Sequence, residues 1–228
     1  MKKLLKSSLS LAMAGLMSLS MFAHAGEAVA DDHASSVSYN VGYMSDYWYR
    51  GVFIHESAVS FGADYESGGI YAGTWWADVG NGLEYDVYAG YSMDLSESMS
   101  AYVGYTGYFY TDGMDSDYNE LNIGLSMGLI SIDYADGRYD TPVKEDYTHT
   151  QVAIDMSAMS LPLTLTFGVW GGDETSLSGE WYSVSYGATV SGVDVGLEVG
   201  QNSDDICCNA PNTNTDTTFA VFSLGYSF

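Results

Sequence analysis

The feature that most restricts this chain is its two-residue rhythm. From about residue 37 to the last position, apolar and polar side chains alternate in run after run. Successive side chains on a strand point to opposite faces, whereas an amphipathic helix needs an apolar period of about 3.6. No helical stripe survives beyond the amino-terminal segment. The last dozen residues show the pattern best. Ala220, Phe222, Leu224, Tyr226 and Phe228 share one face, and Phe219, Val221, Ser223, Gly225 and Ser227 the other. A strand of about ten residues crosses a bilayer when tilted.

The rhythm predicts about twelve strands. The first covers residues 37–44, with Val37, Tyr39, Val41 and Tyr43 together; the second, residues 57–65, carries Val59, Phe61, Ala63 and Tyr65. In the third, residues 70–78, Tyr71, Gly73, Trp75 and Ala77 share a face. The fourth sets Leu83, Tyr85, Val87, Ala89 and Tyr91 against Glu84, Asp86, Tyr88 and Gly90. The sixth opposes Leu121, Ile123 and Leu125 to Glu120, Asn122 and Gly124, and the seventh reads as short, residues 129–134. The eleventh opposes Val193, Val195, Leu197 and Val199 to Asp194, Gly196 and Glu198. Acidic residues within strands all fall off the apolar face. Connectors alternate in length: short at 66–69, 94–98, 128, 157–160 and 191–192, long at 45–56, 112–117, 135–146, 171–179 and 201–216, with 80–82 the exception. An even strand count with short turns at one end and long loops at the other is the pattern of a bacterial membrane barrel.

Alternation alone does not say which face is inside. A soluble sandwich buries its apolar face, and a membrane barrel turns it to lipid. The amino terminus favours the barrel. Lys2, Lys3 and Lys6 precede an apolar stretch, residues 9–22, and a small-x-small site at Ala23-His24-Ala25, with Ala28-Val29-Ala30 as a second candidate. This reads as a secretory signal peptide, residues 1–25, followed by a short tail, 26–36, and one barrel domain, 37–228. Tyr43, Tyr65, Tyr91, Tyr186 and Tyr226 near strand ends suit interfacial girdles.

Export leaves three basic residues, Arg50, Arg138 and Lys144, against thirty acidic ones, a formal charge of −27. That field excludes nucleic acid and disfavours other anionic partners. With 20 Tyr, 8 Phe and 5 Trp the chain is not a disordered polyanion. Cys207 and Cys208 are adjacent, and the readings open to them are a strained vicinal loop disulfide, pairing between two chains, or a modified thiol pair.

The stretch Ser45-Asp46-Tyr47-Trp48-Tyr49-Arg50-Gly51 resembles the SDY-x-x-RG signature of the Gcw_chp family, also labelled TorF-type porins. Gly69-Ile70-Tyr71-Ala72-Gly73-Thr74-Trp75 and Glu84-Tyr85-Asp86-Val87-Tyr88-Ala89-Gly90-Tyr91 continue the match, and the second half matches only in strand rhythm. The resemblance implies an outer-membrane barrel with a pore role and supplies no catalytic residues. Where the family has Ser or Gln shortly after Arg-Gly, this chain has Val52-Phe53-Ile54-His55, so its solute preference could differ.

Arg50 is expected either to pair with an inward carboxylate such as Glu84 or Asp86 and pin a loop, or to sit at a constriction. Glu84, Asp86, Glu120, Asp194 and Glu198 are expected to line the lumen, where carboxylates concentrate cations. Asp112, Asp115 and Asp117 offer oxygen ligands without the spacing of a calcium loop, and read, like Asp173, Glu174, Asp204 and Asp205, as solvated acidic loops bridged to lipopolysaccharide by divalent ions. His149 with Gln151 and Asp155 on one face, among many serines, is the weak case for a Ser-His-Asp hydrolase; His33 lies in the tail. No motif for a cofactor or dedicated metal site is present.

The expectation is a closed antiparallel transmembrane barrel of about twelve strands, an up-and-down meander in the bacterial outer membrane. It would pass small cations or neutral solutes and would not be an enzyme. The alternatives are a plugged structural or adhesive surface barrel and a barrel hydrolase. Phe228, Tyr226, Leu224 and Phe222 resemble the carboxy-terminal signal that barrel-assembly machinery reads, in a strand that closes against residues 37–44.

Overall fold

The computed structural model describes residues 35–140, 144–173, 178–203, 205–206 and 217–228. The predicted signal peptide, almost all of the tail with His33, and Glu174, Asp204, Cys207 and Cys208 lie outside the described residues. Twelve strands form a single sheet: β1 (Ser36–Tyr49), β2 (Val52–Ser67), β3 (Ile70–Asp78), β4 (Leu83–Ser96), β5 (Met99–Tyr110), β6 (Tyr118–Met127), β7 (Ile130–Tyr139), β8 (Glu145–Asp155), β9 (Leu163–Gly172), β10 (Gly179–Val190), β11 (Val193–Asn202) and β12 (Thr217–Ser227). Each pairs antiparallel with its neighbours in sequence, and β1 pairs with β12 to close the barrel. Closure leaves no edge strand, which a lipid environment requires.

The seam between β1 and β12 is short, from Asn40↔Ser227 to Met44↔Ser223. Phe228 extends it. Its amide donates to the Tyr39 carbonyl at 3.0 Å and its carbonyl accepts from the Tyr39 amide at 2.9 Å, while the two rings stack at 5.9 Å. At the other end the Phe222 amide donates to Ser45 Oγ at 3.0 Å, just where the ladder stops.

The faces divide as the alternation predicts. Val37, Tyr39, Val59, Phe61, Val87, Tyr105, Ile123, Val184, Leu197, Phe222 and Tyr226 are exposed on the outside. Phe61, Trp76, Tyr85 and Phe109 occupy directly opposed positions on β2 to β5 and stack in a ladder at 5.6, 4.9 and 5.2 Å. The exterior is therefore an apolar and aromatic surface of the kind hydrocarbon accepts. Asp64, Glu84, Asp86, Glu120, Asp133 and Glu198 point inward, while Asp78, Asp136, Arg138, Asp146 and Glu180, near the loop ends of their strands, lie on the outward face.

Three expectations are corrected. The face of β3 that carries Tyr71, Trp75 and Ala77 is buried inside the barrel, and Trp76 is on the exterior face. The seventh strand is not short, since β7 runs to Tyr139 and shortens the connector after it. Residues 45–56 are not a loop: β1 and β2 continue through them and meet at a two-residue turn, Arg50-Gly51. Period-two runs fade there because both faces of this hairpin are covered.

Candidate functional site: a hairpin folded into the bore

The tip of the β1–β2 hairpin bends away from its own wall and crosses the lumen. Two local features bend it. Tyr47 pairs with His55 and Trp48 with Phe53, so Ile54 is an extra residue on β2, a bulge that increases twist. The turn residues Arg50 and Gly51 both have positive φ, 50° and 78°, as a tight primed hairpin turn demands. A Cβ at Gly51 would collide with the Trp181 side chain, so the tip lies flush against β10.

The residues of the Ser45–Gly51 motif other than Asp46 reach the wall at several strands. Ser45 ties β12. Tyr47 donates its hydroxyl to Glu84 of β4 at 2.6 Å. Trp48 stacks on Phe219 of β12 at 4.5 Å. Tyr49 shares a hydroxyl–hydroxyl bond of 2.7 Å with Tyr108 of β5. Arg50 reaches Glu120 of β6 with two guanidinium contacts, 2.8 and 3.3 Å. The Arg50 carbonyl accepts from Trp170 Nε1 of β9 at 2.8 Å, and the Gly51 carbonyl from Asn202 Nδ2 of β11 at 2.6 Å.

Glu120 is the anchor. Besides Arg50 it accepts from Tyr108 at 3.1 Å, Tyr147 at 3.0 Å and Asn122 at 2.9 Å, and it is 1% exposed against 5% for Arg50. A buried ion pair is sustained only when its remaining lone pairs are satisfied in this way. Around it the hairpin carries two apolar clusters into the bore. One gathers Met44, Trp48, Trp75, Val79 and Phe219, the other Val52, Tyr147, Trp170, Trp181 and Ile206.

This barrier divides the lumen. Toward the short-turn end the inward residues Asn40, Asp64, Tyr88, Tyr102, Asp133 and Gln151 are only half-buried and reachable by water. Tyrosines there lie flat on glycines directly opposite: Tyr88 on Gly73, Tyr71 on Gly90 and Tyr102 on Gly124. The hydroxyls of Tyr88 and Tyr102 then reach Asp64 and Asp133. Toward the loop end a pocket of about 350 Å³ opens between the hairpin and β4 to β6, with Glu84, Asp115, Tyr110 and Trp170 in its lining.

Of the lumen candidates, Arg50, Glu84, Asp86 and Glu120 meet at the barrier. The partner of Arg50 is Glu120, not Glu84 or Asp86, because the tip overshoots β4 and lands on β6. Glu198 is buried in the β11 wall, and Asp194 sits by the short β10–β11 turn, accepting from Thr189 at 2.6 Å. The hydrolase arrangement does not assemble. His149 Nε2 accepts from Trp181 Nε1 at 3.1 Å and its ring packs on Trp170, while Asp155 lies six residues along the strand and caps the Ser157 amide. Asp115 is committed to the hydroxyls of Tyr118 and Tyr139 at 3.1 and 2.5 Å, not to Asp112 or Asp117. Sequence reasoning missed Tyr108, Tyr147, Trp170, Trp181 and Asn202. All occupy inward positions of their strands, which was the available signal.

A family model described as a bacterial protein of unknown function, Gcw_chp, matches residues 28–223. No curated protein matches the chain. Among solved structures the barrel is similar to the KdgM porin, with TM-score 0.53 and 12% identity over 86% of this chain and 99% of that one. The KdgM porin in complex with disordered oligogalacturonate gives TM-score 0.53 and 11% identity over the same shares. OprD of Pseudomonas aeruginosa is similar at TM-score 0.42 and 11% identity, over 84% of this chain and 66% of that one. At 11–12% identity the likeness to the KdgM porin is one of fold, a porin-type barrel.

Proposed function

The chain belongs to the Gcw_chp family of bacterial proteins, and we propose that it is an outer-membrane porin for small hydrophilic solutes that prefers cations to anions. The observation that carries this reading is the acidic inner wall on both sides of the barrier: Asp64 and Asp133 in the half reachable by water, Glu84 and Asp115 in the lining of the outer pocket. Carboxylates in a low-dielectric passage raise the local concentration of cations and repel anions. Oligogalacturonate, present in the KdgM complex, is a polyanion, and this wall disfavours such a solute. The apolar exterior and the likeness of the barrel to the KdgM porin support a place in the outer membrane, with long loops toward lipopolysaccharide and short turns toward the periplasm. Insertion by barrel-assembly machinery through the Phe228 strand is part of the same proposal. Catalysis has no place in it, since His149 is held by tryptophans.

Refolded protein in a planar bilayer under a salt gradient tests the proposal. The expected result is small unitary conductance with a reversal potential of cation-selective sign, and anion selectivity overturns it. The hairpin favours one other reading, a plugged structural barrel, because its apolar clusters fill the loop-end half of the bore. Absence of conductance, in the wild type and in hairpin variants alike, would select that reading.

A further inference from the structure

We propose that the outer pocket is a binding site for an organic ammonium ion, with Glu84 as its principal counter-charge and tyrosine and tryptophan faces as its walls. Its volume, about 350 Å³, falls in the range of small-molecule sites. Tyr49, Tyr108, Tyr110, Tyr118 and Trp170 line it together with Glu84 and Asp115. Aromatic faces attract cations through their quadrupole, and more strongly where water is excluded.

The charge balance selects the ligand. The three basic side chains of the exported chain are engaged with other carboxylates: Arg50 with Glu120, Arg138 with Asp146 and Lys144 with Asp140. Glu84, 3% exposed, has the Tyr47 hydroxyl on Oε1 and no basic side chain beside it. Asp86, two positions along the same face of β4 and outside the pocket lining, adds to the negative charge behind it, its buried Oδ1 without a hydrogen-bond partner among the described residues. A ligand that brings its own positive charge neutralises this pocket, and an anion or a neutral sugar does not. A compact alkylammonium group offers charge and apolar surface together, which suits mixed carboxylate and aromatic walls better than a hydrated metal ion does.

Choline and its neutral isostere 3,3-dimethylbutan-1-ol are the probes, titrated by calorimetry into the folded barrel in detergent micelles. Choline is expected to bind more tightly than the isostere, and Glu84→Gln to weaken choline by roughly tenfold while leaving the isostere unchanged. Asp115→Asn, in a loop outside the barrel wall, is expected to weaken choline more modestly, and it keeps the test open if Glu84→Gln does not fold. Equal binding of the two probes, or of choline to wild type and both variants, overturns the proposal. Binding in micelles does not require conduction, so this outcome is separable from failure of the porin reading.

Discussion

Arg50 shows how much one side chain organises here. Its guanidinium, its carbonyl and its positive φ each serve the same contact between the hairpin tip and the far wall. Removing it leaves Glu120 charged, buried and without its cation, a loss of about 3–5 kcal/mol for such sites. Arg50→Ala is therefore expected to lower the denaturant midpoint of the refolded barrel in lipid vesicles, followed by tryptophan fluorescence, and to raise unitary conductance as the tip leaves the wall. Arg50→Met combined with Glu120→Gln removes both charges while keeping a carbonyl acceptor for Tyr108, Tyr147 and Asn122, and is expected to recover a large part of the loss. A double variant as unstable as the single would show that the ion pair is not what holds the tip. The sequence singled out Arg50 as a scarce cation beside aromatic residues but not its partner. Choosing Glu120 over Glu84 depends on how far the hairpin leans, and that is set by the bulge at Ile54 and the contact of Gly51 with Trp181, neither of which a pattern of apolar positions encodes.

At the scale of the strand, the seam is the weak element. Its ladder spans five residue pairs, whereas β1 and β2 are paired from Ser36 to Tyr49. Phe228 contributes two backbone hydrogen bonds and a ring stack to it, and Ser45 a further acceptor. Deleting Phe228 is expected to reduce the folded, heat-modifiable fraction in outer-membrane preparations more than deletion within any one external loop. Ser45→Ala is expected to have a smaller effect of the same sign. Unchanged assembly after loss of Phe228 would remove the role given to the terminal strand. Strand order, the closing pair and the outward faces of the strands other than β3 were legible because an apolar exterior imposes one rule along the sheet. The hairpin was not, since residues 45–56 are covered on both sides and their apolar positions lose the two-residue period.

For the whole molecule, a water-reachable acidic half, a hairpin barrier and an aromatic outer pocket lie in series along one axis. The inner wall of the first compartment is built from tyrosines laid over glycines, and this has a consequence for its width. Gly73 leaves the space that the Tyr88 ring fills, and a Cβ there would collide with that ring, the nearest atoms all belonging to the Tyr88 side chain. Adding one carbon must therefore swing the phenol off the wall and into the passage. Gly73→Ala is expected to cut conductance while the ion preference, set by the carboxylates, stays the same; an unaltered current would mean that the ring finds another place on the wall. The calibre of the bore is thus adjustable one methyl group at a time, from positions where the wild-type chain has no side chain at all.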